Sequence, residues 1–327
     1  MQDEPQVEPK RIVETLDASY GVVASAIRFL PVGYDPYAAV YRLDASDGQA
    51  FFLKVRLDST CGKGLAISRA LADRGIANIL APLRSRNGKL MEAFDGHGLI
   101  VYPFVEGRDA AQAGMSDSQW IEFGKTLRLV HDSGLAAPGA RTESFSLPSA
   151  KLLRAVAQAA EKVYESSAAT EFAQFWLDRS EAILDIVRIA EDLAAGLRSR
   201  SFDFALCHSD VHAANVLVAD DGRIWILDWD DPILAPRERD LLFVVGSRIS
   251  RRVEPREEEL FFAGYGPWEV DRDLLRYYRL ERLVEDLGEF ARSIFRDSQI
   301  SEATRREYSA IVRGFFEPGA DLDHALG

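Results

Sequence analysis

Residues 206–230 read LCHSDVHAANVLVADDGRIWILDWD, a stretch rich in strand-forming apolar residues that polar side chains interrupt. Polar groups within an apolar run are costly to bury unless each has a partner or a task. VLVA at 216–219 and RIWILD at 223–228, joined by Asp-Asp-Gly, predict a β-hairpin. A hairpin brings its first and last residues together, so we expect Asn215 and Asp228 to meet at its open end.

Asp210 lies in the loop just before this hairpin, so three oxygen-bearing side chains are expected to converge. Carboxylate and amide oxygens are the ligands that Mg²⁺ prefers, and one carboxylate would remain to accept a proton. Loop capping would account for Asp210 and Asn215 equally well. It does not account for Asp228, which follows an apolar strand without being needed to turn it.

The order His-x-Asp-x-x-x-x-Asn, then a hairpin, then Asp resembles the catalytic and metal-binding loops of the protein-kinase-like fold. In the form CHSDVHAANVL…LDWD it is similar to the aminoglycoside phosphotransferase family, whose kinase-type members phosphorylate hydroxyls with ATP. The resemblance implies that Asp210 is the catalytic residue and that Asn215 and Asp228 hold Mg²⁺. We assign His208 to bracing the loop, because nothing nearby in the sequence orients it as a base. His212 stays open between a contact to the site or the substrate and an ordinary loop residue.

Lys54 in FFLKVR and the segment VYPFVEG (101–107) carry the nucleotide side of the resemblance. Strand alternation places Phe52 and Lys54 on one face, which favours a cleft over open surface. The resemblance implies that Lys54 holds the α and β phosphates of ATP and that adenine lies against 101–107. Proline has no N–H, so Pro103 would offer its carbonyl and Val105 its N–H.

Two features depart from the kinase pattern. Gly33 stands alone in LPVGYDPYAAV, where protein kinases have a glycine-rich loop, and no glutamate occurs between Lys54 and Glu92. Protein kinases pair the strand lysine with a helix glutamate. Asp58 or Asp73 would have to replace it here, or phosphate alone would hold the lysine.

Three later blocks, DWDDPILAPRERDLLF, FFAGYG and YYRLERLVEDL, are similar to the spectinomycin phosphotransferase branch of the family. This resemblance implies that Asp240 braces the catalytic loop, although locally it could equally cap a helix. It also implies an acidic cleft that attracts the amines of a cationic small molecule. Asp231, Glu285 and Asp286 are the candidate substrate contacts.

The remaining pattern predicts an α+β fold. Residues 26–104 hold five strand-length apolar segments with one helix at 64–75, and the chain is mainly helical after Gly107. With the resemblance, this implies a two-lobed protein-kinase-like fold with a nucleotide-binding lobe at 1–105 and a catalytic and acceptor-binding lobe at 106–327. In the helix predicted at 272–297, the glutamates at 281, 285 and 289 are expected on a solvated face.

Composition narrows the partners. The chain has 327 residues, a formal charge of -13 and two cysteines. Excess acid makes a nucleic acid an unsuitable partner, because phosphate binding needs clustered Lys and Arg. The cysteines suggest neither a disulfide framework nor a zinc site, and no stretch is typical of an export signal or a membrane span, so we expect a cytoplasmic protein. Nothing indicates its oligomeric state or a preference between ATP and GTP.

The sequence therefore predicts an ATP- and Mg²⁺-dependent phosphotransferase acting on a hydroxyl of an aminocyclitol or aminoglycoside antibiotic, with spectinomycin as the first candidate. Two alternatives remain. One is a kinase of another small alcohol, such as choline, homoserine or a sugar, with the same fold. The other is a nucleotide-binding protein without catalysis, which the missing glutamate favours and the joint presence of Asp210, Asn215 and Asp228 disfavours.

Overall fold

The structure is a computed structural model that describes residues 7–31, 38–57, 63–135, 140–160, 162, 164–298 and 300–326. The chain divides into two compact units. Unit 1 consists of Met1–Thr142, Ala205–Ala235 and Glu254–Pro267, and unit 2 of Glu143–Phe204, Pro236–Val253 and Trp268–Gly327. The predicted boundary at residue 105 concerns functional lobes rather than these units, and it stays a prediction.

The strands, numbered in chain order, are β1 (Ala24–Leu30), β2 (Ala38–Ala45), β3 (Ala50–Arg56), β4 (Glu92–Phe94), β5 (His97–Pro103), β6 (Gly107–Asp109), β7 (Arg141–Thr142), β8 (Ala205–Cys207), β9 (Val216–Ala219), β10 (Ile224–Ile226) and β11 (Ile233–Ala235). The helices are α1 (Pro9–Tyr20), α2 (Lys63–Asp73), α3 (Ala110–Ala113), α4 (Asp117–His131), α5 (Ser149–Ala157), α6 (Ser167–Asp178), α7 (Ser180–Leu197), α8 (Glu238–Leu241), α9 (Pro255–Tyr265), α10 (Arg272–Arg296), α11 (Glu302–Gly314) and α12 (Asp321–Leu326).

Unit 1 contains an antiparallel five-stranded sheet in the order β1-β2-β3-β5-β4. All five predicted strand segments are present, which confirms this part of the fold prediction. Two tight turns rest on Gly48 and Gly96, whose φ angles of 85° and 83° suit glycine far better than other residues. Helix α2 lies where the sequence predicts it.

Helix α1 has no counterpart in the sequence prediction. Ile12 and Leu16 on this helix are fully buried and pack in one core with Leu53 and Val55 of β3. Successive residues of a strand point to opposite faces, so Lys54 projects from the face opposite this core. Burial of Leu53 and Val55 therefore decides where the lysine points.

The predicted hairpin is also in unit 1. Strands β9 and β10 pair antiparallel around Asp220, Asp221 and Gly222, and β6 extends them to a three-stranded sheet in the order β10-β9-β6. Strand β10 ends at Ile226, so Asp228 lies in the following loop and not at the strand's end as expected. A third sheet has the order β7-β11-β8.

Unit 2 is built around α10, which contacts α5, α6, α7, α8, α11 and α12. The apolar stripe predicted for α10 is confirmed, because Leu280, Val284, Leu287 and Ala291 are fully buried. The expected solvated face is wrong at Glu281. Its side chain is only 13% exposed and forms an ion pair with Arg239, since a cation from another segment faces it.

Within the part of the chain that the structure describes, every helix is too short or too polar to cross a bilayer.

Candidate active site

The loop after β8 carries His208, whose ring is buried and hydrogen-bonded through both nitrogens. Its Nδ1 accepts a hydrogen bond from the Asp210 N–H at 3.2 Å, so Nε2 carries the proton and donates to the Leu227 carbonyl at 2.7 Å. The ring also lies edge-on to Trp229, with centroids 4.5 Å apart. His208 thus ties the loop that carries Asp210 to the segment that leads to Asp228.

Asp210 and Asn215 are in direct contact. The Asn215 side-chain amide donates to the Asp210 carbonyl at 2.8 Å and to Asp210 Oδ2 at 3.1 Å. This use of the amide nitrogen leaves the amide oxygen of Asn215 for another partner. His212 Nε2 lies 3.5 Å from Asp210 Oδ2, while its Nδ1 accepts from Ala214 N–H at the start of the 3-10 turn Ala213–Asn215.

The open end of the hairpin joins this pair to Asp228. The Leu227 N–H donates to the Asn215 carbonyl at 2.9 Å. Asn215 and Asp228 therefore lie on opposite sides of the open end of the hairpin. Asp228 has a φ of 56° and Ser209 a φ of 72°, a region that non-glycine residues rarely adopt. Such conformations concentrate at functional sites, where the surrounding structure holds them against strain.

Lys54 contacts two carboxylates. Its Nζ lies 2.9 Å from Asp228 Oδ1 and 2.7 Å from Asp230 Oδ2, with the lysine side chain only 12% exposed. The structure thus brings together Lys54 and Asp228, which are 174 residues apart in the chain. It adds Asp230, which the sequence analysis missed; its signal was the second carboxylate in DWDD.

Charge pairing controls the protonation of this group. Desolvation would lower the pKa of Lys54, but the charges of Asp228 and Asp230 outweigh it and raise that pKa. Desolvation would raise the pKa of Asp228, but the charge of Lys54 and its hydrogen bond outweigh this effect and lower that pKa. The pKa of Asp230 is raised by burial and by the charge of Asp228.

Pro103 at the end of β5 and Val105 just after it are the predicted adenine contacts, and that role stays a prediction. Pro103 ends β5 opposite Phe51, and the Phe104 N–H donates to the Ala50 carbonyl at 3.1 Å. Because the Phe104 N–H already donates to Ala50, the Val105 N–H is the next backbone donor along the chain. Val105 is partly exposed and Pro103 is exposed.

The other predicted site residues have different surroundings. Asp231 forms an exposed ion pair with Arg141, with Nε and Oδ1 3.2 Å apart. Asp240, Glu285 and Asp286 belong to unit 2, where Asp240 is fully buried and Asp286 accepts from Arg282 Nε at 3.0 Å. Their predicted roles in bracing and substrate contact stay predictions.

The sequence offered two aspartates, Asp58 and Asp73, as possible partners of Lys54. Asp73 does not reach Lys54, because its oxygens pair with Arg69 Nε at 2.8 Å and Arg84 Nη2 at 3.1 Å. Asp58 and the loop containing Gly33 lie outside the described residues.

The donor set of the site fits a hard divalent cation. Asp228 supplies a carboxylate oxygen, and Asn215 supplies an amide oxygen because its amide nitrogen is engaged with Asp210. Oxygen ligands of this kind suit Mg²⁺ rather than zinc or copper. The amine of Lys54 beside Asp228 adds the positive charge that a phosphate group requires.

A family comparison identifies the class of protein that this fold and site define. The model of the phosphotransferase enzyme family matches residues 26–293, and the chain belongs to that family.

Individual relatives agree with this assignment. The chain is 29% identical to spectinomycin phosphotransferase APH(9)-Ia, solved in complex with ADP and spectinomycin, with a TM-score of 0.89 and 99% of each chain covered. It is also 29% identical over 283 residues to protein StrN of Streptomyces griseus, covering 81% of this chain and 78% of StrN. Choline kinase LicA from Streptococcus pneumoniae, at 13% identity, has a TM-score of 0.59 with 93% of this chain and 97% of LicA covered, so it shares the fold alone. The predicted α+β, protein-kinase-like fold is confirmed.

Proposed function

We propose that this chain is an ATP-dependent O-phosphotransferase that modifies a hydroxyl of an aminocyclitol antibiotic, with spectinomycin as its acceptor. The observation that carries the proposal is one cluster of contacts. Asn215 binds Asp210, the hairpin closure joins Asn215 to the segment of Asp228, and Asp228 contacts Lys54. These are the residue types that phosphoryl transfer requires, and this chain of contacts links them.

The chain's residues have separate roles in this proposal. ATP would supply the phosphoryl group, and Mg²⁺ would offset the charge of its phosphates. Asn215 and Asp228 would hold the metal, and Lys54 would bind the α and β phosphates. The Pro103 carbonyl and the Val105 N–H would bind adenine.

Asp210 positions the acceptor and receives its proton. The hydroxyl oxygen of the acceptor bonds to the γ-phosphorus as the bond from that phosphorus to the leaving ADP oxygen breaks. The hydroxyl proton passes to the Asp210 carboxylate. The amide of Asn215 and the His212 ring, 3.1 and 3.5 Å from Asp210 Oδ2, restrict the orientation of that carboxylate.

Similarity over the whole chain supports spectinomycin as the acceptor, because the relative solved with that antibiotic covers 99% of this chain. Carboxylates attract its two amines. Electrostatics alone would also admit kanamycin-like drugs, which carry more positive charge. A site shaped for the compact fused rings of spectinomycin should exclude such larger molecules. We place this activity in the cytoplasm, with antibiotic resistance as its consequence.

ADP release measured with spectinomycin, kanamycin, choline, homoserine and no acceptor tests the proposal. We expect release with spectinomycin alone and a product heavier by one phosphoryl group in mass spectrometry. Release with choline or homoserine but not spectinomycin would assign the chain to another small-alcohol kinase. A wild-type protein that binds no nucleotide would exclude both the spectinomycin phosphotransferase and the other small-alcohol kinase.

A further inference from the structure

The amine of Lys54 lies between two carboxylates that differ in what else they contact. Asp228 follows the hairpin, and its neighbour Leu227 donates a backbone hydrogen bond to the Asn215 carbonyl. Asp230 lies closer to the amine, at 2.7 Å, and also lies 3.8 Å from Arg56 Nη1. Asp230 therefore faces the cationic residues of β3, whereas Asp228 lies beside the proposed metal ligands.

Helix α2 follows Lys54 in the chain, where a protein kinase carries the glutamate that pairs with its lysine. The sequence of α2, KGLAISRALAD, contains one acidic residue, Asp73. Its carboxylate is paired with Arg69 and Arg84. The other end of α2 closely approaches the loop that carries Asp228, Trp229 and Asp230, which we call the aspartate loop. A Cβ built on Gly64 would lie 1.5 Å from the carbonyl oxygen of Trp229, the residue between Asp228 and Asp230.

We infer that Asp230 is the positioning residue for Lys54 and takes the place of the missing helix glutamate. The inference rests on the proposed function. Asp230 faces Lys54 and Arg56, and its charged hydrogen bond can retain the amine while Asp228, on the side of Asn215, binds a metal ion. Without Asp230, the only carboxylate at the amine among the described residues would be Asp228. Lys54 and Mg²⁺ would then compete for it.

A double-mutant cycle on nucleotide affinity tests this coupling. MgADP affinity is measured by calorimetry for wild type, Asp230→Asn, Lys54→Met and the double variant, since residues that act through each other have non-additive effects. We expect Asp230→Asn to weaken MgADP binding about tenfold in the wild-type background and less than about twofold in the Lys54→Met background. Asp230→Glu should restore part of the loss because it keeps the carboxylate.

Adenosine binding and thermal stability show whether the variants fold. Adenosine has no phosphate, so its affinity should be equal in all four proteins. Asp221→Asn is the matched control, because Asp221 is another loop aspartate paired with an arginine, Arg223, at the exposed hairpin turn. It should leave MgADP affinity unchanged.

Two results would overturn the inference. The first is wild-type MgADP affinity in Asp230→Asn. The second is an equal loss in both backgrounds, which would mean that Asp230 acts as a metal ligand or supports the loop independently of Lys54. Failure of the wild-type protein to bind MgADP is a different result, and it would refute the proposed function instead.

Discussion

Gly64 of helix α2 lies against the backbone of Trp229, so closely that a Cβ at residue 64 would overlap the Trp229 carbonyl. The contact joins the start of a helix to the loop that holds Asp228 and Asp230. The contact leaves no space for a side chain at residue 64, so the chain requires glycine there.

Gly64→Ala should therefore disturb both stability and the site, because the helix or the aspartate loop must move to admit a methyl group. We expect a lower melting temperature and weaker MgADP binding. Gly196→Ala is the control, since Gly196 lies in α7 with no atom within 4 Å of the position that a methyl group would take, and alanine there should be neutral or stabilise by about 1 kcal/mol. Wild-type behaviour of Gly64→Ala would show that the close contact is not maintained in solution.

Replacing Asp210 tests the proton acceptor. General-base catalysis contributes about 10² to 10⁴ in rate, so Asp210→Ala should lower kcat by a factor in that range. MgADP affinity, measured by calorimetry, should change little, because Asp210 is proposed to contact the acceptor rather than the nucleotide. A variant that keeps more than about a third of wild-type turnover would remove Asp210 from the mechanism.

Metal dependence tests Asp228. ATP should raise the melting temperature of the wild-type protein, and most of this rise should disappear when Mg²⁺ is removed by a chelator. In Asp228→Ala the metal should make little difference, since a main oxygen ligand is lost. If Mg²⁺ increases the stabilisation by ATP equally in both proteins, Asp228 does not hold the metal.

Glu302 should make the stability of unit 2 depend on pH. Its oxygens accept from Ser166 Oγ at 2.7 Å, Ser167 Oγ at 2.9 Å and Ala168 N–H at 2.8 Å, and these bonds lower its pKa to about 2. A carboxylate whose pKa is lower in the folded state stabilises the fold above its unfolded pKa of 4.5, and the contribution is lost as the pH falls from there towards 2.

Urea unfolding at pH 7, 5 and 3.5 measures this effect. Glu302→Gln should lower the midpoint at pH 7 and at pH 5, and the gap to wild type should narrow at pH 3.5. Glu317→Gln serves as the control, because Glu317 is an exposed glutamate near the C-terminal end of the chain. A gap of constant size at all three pH values would show that the charge of Glu302 does not contribute.

Much of the site was predictable because its signals are local. The hairpin at 216–226 follows from two apolar runs and a turn triplet, and the orientation of Lys54 follows from strand alternation. The apolar stripe of α10 is a short-range pattern of the same kind. Each depends on residues only a few positions apart, so sequence spacing is enough.

Ion pairing between distant segments was not predictable. Lys54 and Asp230 are 176 residues apart, and nothing local distinguishes Asp230 from Asp73 or Asp58 as the partner of the amine. Glu281 was expected in solvent because its own helix shows only that it lies off the apolar stripe. Arg239, from another segment of unit 2, makes it a buried partner.

The class of chemistry could be inferred from short spacings, because Asp210, Asn215 and Asp228 belong to one loop and the hairpin that follows it. Which carboxylate contacts Lys54 depends instead on how distant segments pack. That choice depends on the close approach of Gly64 to the Trp229 carbonyl and on the Asp73 pairs with Arg69 and Arg84. Coulomb attraction selects among charges by their separation in space, and separation in space between distant segments is not contained in local spacing.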